Sequence, residues 1–152
     1  MTAISFYHLQ RSTLEVALPK LLEKVLENGM RALVVAGSDE RVEALNATLW
    51  KFDSQSFLPH GSGKDGAPES QPILLTSDLD SNPNSADVLL QVGGASFSNF
   101  NGFSKVLDVF DGNDGGALTA AQERWKSFKN QGHDLTYWQQ SESGGWQKND
   151  TN

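Results

Sequence analysis

Hydrophobic and polar residues follow one another along the chain in blocks that predict alternating strands and helices. Residues 4–9 predict a first strand, and the leucines and valines in residues 14–26 then recur at the spacing of one helix face. Residues 31–36 form a nearly continuous apolar run between two glycines, which is typical of a strand buried on both faces of a parallel sheet. An apolar stripe in residues 42–50 predicts a second helix. This alternation indicates a βαβ-type fold.

The second half of the chain continues the pattern with longer polar connections. Residues 73–76, 88–92 and 106–110 predict three further strands, and a helix is predicted from about residue 118 to residue 130. Residues 135–139 are predicted to add a final extended segment. The order of elements therefore stays that of an α/β protein to the end of the chain.

The length and the pattern together predict one domain. A chain of 152 residues is long enough to bury a core of its own. We expect an α/β fold, a single three-layer domain with a mostly parallel central sheet, spanning residues 1–143. Residues 144–152 are predicted to form a polar C-terminal tail that frays, although this tail contains Trp146.

Composition narrows the range of functions. The net charge is −7, and residues 53–115 hold nine acidic but only two basic residues. Because a protein that binds the nucleic-acid backbone needs clustered Lys and Arg, we expect contact with DNA only indirectly.

The absence of cysteine excludes disulfides and thiolate metal sites. No apolar run approaches the ~20 residues of a membrane span, and the N-terminus lacks the features of a secretory signal, so a cytoplasmic protein is expected.

Motifs for catalysis fail in detail. Residues 61–66 look like a phosphate-binding loop, but Leu58 stands where the first glycine is required and Asp65 where magnesium needs a Ser or Thr. His60 has no identifiable catalytic partner, so a structural role in a turn is the better interpretation. Residues 111–115 echo a calcium loop but lack its alternating ligands and its distal Glu. We therefore predict a nucleotide-binding-like topology without a phosphate loop, and no catalytic, cofactor or metal site.

Four segments carry a resemblance to a known family. The most specific is a Leu-Trp helix end that is followed, seven residues after the Trp, by Phe-Leu-Pro-His. Together the segments resemble the chi subunit of the bacterial DNA polymerase III holoenzyme, in the order of that family and over nearly the whole chain. The segments are Phe6-Tyr7-His8-Leu9; Leu45 to Trp50 with Phe57-Leu58-Pro59-His60; Pro72-Ile73-Leu74-Leu75 with Ala86-Asp87-Val88-Leu89-Leu90; and Glu123-Arg124-Trp125-Lys126 with Gly132-His133 and Leu135-Thr136-Tyr137-Trp138.

This resemblance implies a non-catalytic accessory subunit with a nucleotide-binding-like α/β fold. Proteins of this kind bind the psi subunit, which tethers them to the clamp loader. They also bind the acidic, phenylalanine-ended C-terminal tail of single-stranded-DNA-binding protein. The implied role is to link the polymerase to protein-coated template, with psi and the tail as partners, without a cofactor and without gripping DNA strongly.

The resemblance also implies which residues bind the tail. A tail that ends in Phe needs an apolar pocket, and its carboxylates need nearby cations. Gln122 stands where the family often has Arg, and Leu118 where a family member can have Lys. We therefore expect a tail site that keeps its apolar part and is weakened or rearranged in its ionic part. The predicted tail-binding residues are Trp50, Phe57, Phe110, Arg124 and Lys126.

A second hypothesis is a small nucleotide-binding or hydrolytic enzyme of the doubly wound α/β class. Such folds bind their ligands at the carboxyl ends of the strands. In this chain, Gly37, His60 and the pair Gly93-Gly94 would have to supply that site.

Overall fold

The predicted blocks form one sheet with helices on both faces. The computed structural model describes residues 3–10, 13–51, 60–62, 72–95, 97, 100, 102–140 and 146–149. The helices are α1 (Leu14–Glu27), α2 (Asp39–Lys51) and α3 (Gly115–Asn130). The strands are β1 (Ala3–Leu9), β2 (Ala32–Val35), β3 (His60–Ser62), β4 (Ile73–Thr76), β5 (Val88–Val92), β6 (Lys105–Asp111), β7 (Asp134–Gln140) and β8 (Trp146–Asn149).

The described strands lie in the order β3-β4-β2-β5-β6-β1-β7-β8. Each neighbouring pair from β3 to β7 is parallel, and β8 is antiparallel to β7. All four residues of β2 and all five of β5 are buried, as expected for strands covered on both faces. The predicted three-layer α/β fold with a mostly parallel sheet is confirmed.

Alternate side chains of the central strands point into two separate cores. Ala32 and Val34 of β2 belong to the core that contains the buried residues of α1 and α2. Leu33 and Val35 belong to the opposite core, with Ala121 and Phe128 of α3. The sheet therefore separates α1 and α2 from α3. None of the described helices is both long and apolar enough to cross a membrane.

Strand bounds follow the predictions closely in the centre of the sheet and less well at its edges. The predicted strands at residues 73–76 and 88–92 have the observed bounds of β4 and β5, whereas β3 was not predicted. Helix α3 begins at Gly115, three residues before the predicted start, because the Asp114 side chain accepts hydrogen bonds from the backbone of its first turn.

The C-terminal tail differs from the prediction that it frays. Residues Trp146–Asn149 form β8 and pair with β7. The Trp146 ring packs edge-on against Tyr7 of β1, with 5.0 Å between the ring centroids. This contact adds apolar burial to the backbone pairing, and so β8 is held by the domain. The domain boundary between residues 143 and 144 stays a prediction.

Candidate partner-binding site

A crevice is expected where β1 and β6 lie side by side. From the carboxyl end of β1 the chain passes through α1 to β2, and from that of β6 it passes through α3 to β7. These helices cover opposite faces of the sheet, so the chain leaves the two neighbouring strands in opposite directions. Such a switch point is where open α/β sheets bind ligands. A cavity of about 370 Å³ lies here, lined by residues of β1, α1, α2, β6 and α3 and by Gly93 and Gly94.

A buried ion pair fixes α3 against β6 beside this cavity. The Arg124 Nε donates to Asp108 Oδ2 at 2.7 Å, and its Nη2 donates to Oδ1 at 2.9 Å. The side chains are 14% and 2% exposed, respectively. Burial raises the pKa of Asp108, and the Arg124 guanidinium acts in the opposite direction by stabilising the carboxylate. Two of the Arg124 donors are therefore committed to the sheet.

Phe110 lies in an aromatic cluster under the same end of the sheet. The centroid of its ring lies 5.1 Å from that of His8 and 6.2 Å from that of Tyr137, and the residue is only 3% exposed. Tyr137 Oη and His8 Nδ1 share a hydrogen bond of 2.5 Å. Burial raises the pKa of Tyr137 to about 12. Burial also lowers the pKa of His8, and the negative charge of Asp111 acts on the His8 pKa in the opposite direction. Phe110 is thus a core residue that also forms part of the cavity wall.

The N-terminus of α3 is occupied by a carboxylate of the chain itself. Asp114 Oδ1 accepts hydrogen bonds from the backbone N–H groups of Gly116 and Ala117, at 3.0 and 3.3 Å. In nucleotide-binding folds a helix N-terminus at this edge donates such groups to phosphate. Asp111 also lines the cavity. Two carboxylates at this edge disfavour a phosphate ligand.

Comparison with known proteins identifies the family. A family model described as "DNA polymerase III chi subunit, HolC" matches residues 1–136. The chain belongs to this family. It is 30% identical over 110 residues to the "Probable DNA polymerase III subunit chi" of Rickettsia prowazekii (strain Madrid E), covering 72% of this chain and 66% of that protein. It is 24% identical over 143 residues to the DNA polymerase III subunit chi of Escherichia coli (strain K12), covering 89% of this chain and 96% of that protein.

Membership of the chi family confirms the resemblance carried by the four sequence segments. A chi subunit is part of DNA polymerase III and acts in DNA replication, which implies a partner within the polymerase complex.

The chi structure brings two of the five predicted tail-binding residues together. Phe110 and Arg124 both line the cavity at the carboxyl edge. Lys126 is exposed on α3, about 200° around the helix from Arg124 at ~100° per residue. The backbone of Trp50 lies at the last turn of α2, on the other side of the sheet from α3. Phe57 lies outside the described residues, and the assignment of these residues to the tail stays a prediction.

The residues of the second hypothesis are divided between the two ends of the sheet. Gly37 lies two residues beyond the carboxyl end of β2. Gly93 and Gly94 line the cavity with φ angles of 62° and 84°. The backbone of His60 pairs with Ile73 at the start of β4, which is the amino end of the sheet. A catalytic site that needs both groups is therefore not assembled at the carboxyl edge.

Sequence reasoning missed Arg41 as a candidate functional residue. It lies in the first turn of α2 and lines the cavity opposite α3. A single arginine in a helix carries no recognisable motif, and only the strand order brings it near Phe110. No grouping of three or more potential metal ligands occurs among the residues that the structure describes.

Proposed function

We propose that this chi-family chain is the non-catalytic accessory subunit that links the clamp loader, through the psi subunit, to the C-terminal tail of single-stranded-DNA-binding protein during DNA replication. The observation that carries the proposal is the family match over residues 1–136, a range that includes all five predicted tail-binding residues. The net charge of −7 supports contact with proteins rather than with the DNA backbone. A soluble cytoplasmic protein is part of the same proposal.

The described residues also support a tail site with a weakened ionic part. Of the two predicted cations, Arg124 is bound to Asp108, whereas Lys126 is exposed. Gln122 is exposed on the same helix and carries no charge. The carboxylates of the tail would therefore meet Lys126 as an exposed charge, which salt screens easily. Most of the affinity should come from the apolar anchor residues.

Two features weigh against an enzyme of the nucleotide-binding class. Asp114 occupies the N-terminus of α3, where a phosphate would otherwise bind. His60 begins β3 at the amino end of the sheet, away from the carboxyl edge. Both features support an accessory role, in which the α/β fold serves as a platform for protein partners.

Calorimetric titration of the full chain with a peptide of the last ~10 residues of the host's single-stranded-DNA-binding protein tests the tail contact. We expect saturable binding that requires the terminal Phe and weakens with salt. Truncating an anchor costs more than truncating a rim charge, so Trp50→Ala should weaken binding at least ~10-fold, with Lys148→Ala as the exposed control. Lys126→Ala should cost only ~2- to 5-fold and reduce the salt dependence.

Two results would contradict the assignment of the tail site. One is equal losses of affinity for Trp50→Ala and Lys148→Ala, and the other is no binding of the peptide at low or high salt.

The psi contact is tested separately, by size-exclusion chromatography of the chain mixed with the host's psi subunit. A complex that elutes ahead of either protein is expected, and two separate peaks would remove psi from the proposal.

A further inference from the structure

One charged group that lines the cavity at the carboxyl edge has no partner in the described part of the chain. The charge of Arg124 is met by Asp108, and Asp114 caps α3. Asp111 accepts a hydrogen bond from the backbone N–H of Asn113. The backbone N–H of Arg41 donates to Ser38 Oγ, but within the described residues its guanidinium makes no hydrogen bond or ion pair. Arg41 therefore has a full set of side-chain donors available to a ligand.

Arg41 lies next to the glycine turn that follows β5. A Cβ atom added to Gly93 would lie 4.0 Å from Arg41 Nε, so the arginine side chain lies beside this turn. Gly93 and Gly94 both have positive φ angles, a conformation that suits glycine. The turn and the Arg41 side chain therefore lie side by side at the rim of the cavity.

The remaining wall of the cavity is largely apolar. Leu9 and Val109 contribute from the ends of β1 and β6, next to Phe110. On the α3 side the wall is made by Ala117 and Ala120, whose small side chains leave space. The volume of about 370 Å³ falls within the range of small-molecule sites. An apolar wall with one available cation at the rim, next to the carboxylates of Asp111 and Asp114, suits a ligand that combines an apolar body with a single negative charge.

We propose that this cavity binds a small ligand with one carboxylate next to an apolar body. The carboxylate pairs with Arg41, whose planar guanidinium can donate two parallel hydrogen bonds to it. The apolar body lies against Phe110 and the two alanines of α3. Asp111 and Asp114 repel ligands with several negative charges, which selects a monoanion over a nucleotide polyphosphate. Because Phe110 and Arg124 of this cavity are also predicted tail-binding residues, binding of the small ligand and binding of the tail have to be separated by experiment.

N-acetyl-phenylalanine is a suitable probe, because it combines one carboxylate with an aromatic side chain. The full chain, labelled with ¹⁵N, is titrated with this acid and with its uncharged amide while backbone resonances are followed by NMR. We expect the acid to shift the resonances of Gly93, Gly94 and Ala117 and to saturate in a roughly millimolar range. The affinity of the amide should be lower than that of the acid by roughly 10-fold or more, because the amide cannot form a charge-assisted bond with Arg41.

Matched variants separate the charge from the cavity. Arg41→Gln should reduce the affinity for the acid by roughly 10-fold or more, whereas Glu43→Gln, an exposed position of the same helix, should not change it. Ala120→Leu should abolish binding by filling the cavity while Arg41 stays in place. Equal binding of acid and amide, or wild-type affinity in Arg41→Gln, would overturn the proposal.

The same carboxylate chemistry occurs in free small molecules and at the end of a polypeptide chain. Displacement of N-acetyl-phenylalanine by the tail peptide, with shifts at the same three residues, assigns the site to a chain terminus. Retention of the acid in excess peptide assigns it to a free small carboxylate. A Trp50→Ala variant that loses the peptide but keeps the acid would separate this cavity from the proposed tail site.

Discussion

Replacing Arg124 by Met tests whether the ion pair with Asp108 is a structural element. The change removes both hydrogen bonds to a carboxylate that is 2% exposed, and leaves a side chain of similar length without charge. Breaking a buried pair by removing one partner costs about 3–5 kcal/mol, because the remaining charge stays buried without compensation. For a chain of this size, this loss lowers the midpoint of thermal unfolding by roughly 6–20 °C.

The dependence on pH gives the prediction a second readout. Burial raises the pKa of Asp108, and in Arg124→Met the guanidinium no longer opposes this effect. The folded variant then binds a proton at a pH where the unfolded chain, with an Asp pKa of about 3.9, does not. The folded Arg124→Met variant therefore becomes more stable relative to its unfolded chain as the pH falls. We expect the difference in stability between wild type and variant to shrink between about pH 7 and pH 4.

Urea unfolding followed by tryptophan fluorescence measures these free energies. The double variant Asp108→Leu/Arg124→Met removes both charges, and it should be at least ~2 kcal/mol more stable than Arg124→Met alone. If Arg124→Met lowers the free energy of unfolding by less than about 1 kcal/mol, the ion pair contributes no more than a solvent-exposed pair does, and its structural role is refuted. A double variant that is no more stable than the single one would do the same.

Two further predictions concern the ends of the sheet. In Gly112→Ala the new Cβ would overlap His8 Nε2 and lie 2.8 Å from the backbone oxygen of Leu9, so we expect the free energy of unfolding in urea to fall by at least ~2 kcal/mol. Gly115→Ala, which has open space around it, serves as the control and should be close to neutral. Trp146→Ala removes the ring contact with Tyr7 and should cost about 2 kcal/mol and speed hydrogen exchange in β7, whereas Lys148→Ala on the same strand should do neither; a neutral Trp146→Ala would mean that β8 contributes nothing to stability.

The sequence predicted the centre of the fold better than its edges for a physical reason. The strands β4 and β5 are short apolar runs between polar connections, and burial on both faces leaves that pattern in the sequence. Strand β8 has one large apolar residue, Trp146, among polar ones, and its place depends on pairing with β7. Local pattern contains no information about such a partner.

The candidate site was less predictable because its residues come from distant parts of the chain. Arg124 looked like a cation available to a partner, but its carboxylate partner is 16 residues away on β6. Arg41 carries no local signal in α2, and the strand order places it at the cavity. Both roles depend on how a helix is oriented against the sheet. Hydrophobic periodicity in the sequence indicates only which face of the helix is buried.

The ion pair between Arg124 and Asp108 also decides which side of α3 can meet each ligand. With Arg124 turned to the sheet, Ala117 and Ala120 line the cavity while Lys126 is exposed on another side of the helix. The two proposed binding functions therefore separate by mutation. Lys126→Ala should weaken only the tail, and Arg41→Gln only the small carboxylate. Arg124→Met should weaken both, since both depend on how α3 is held against β6.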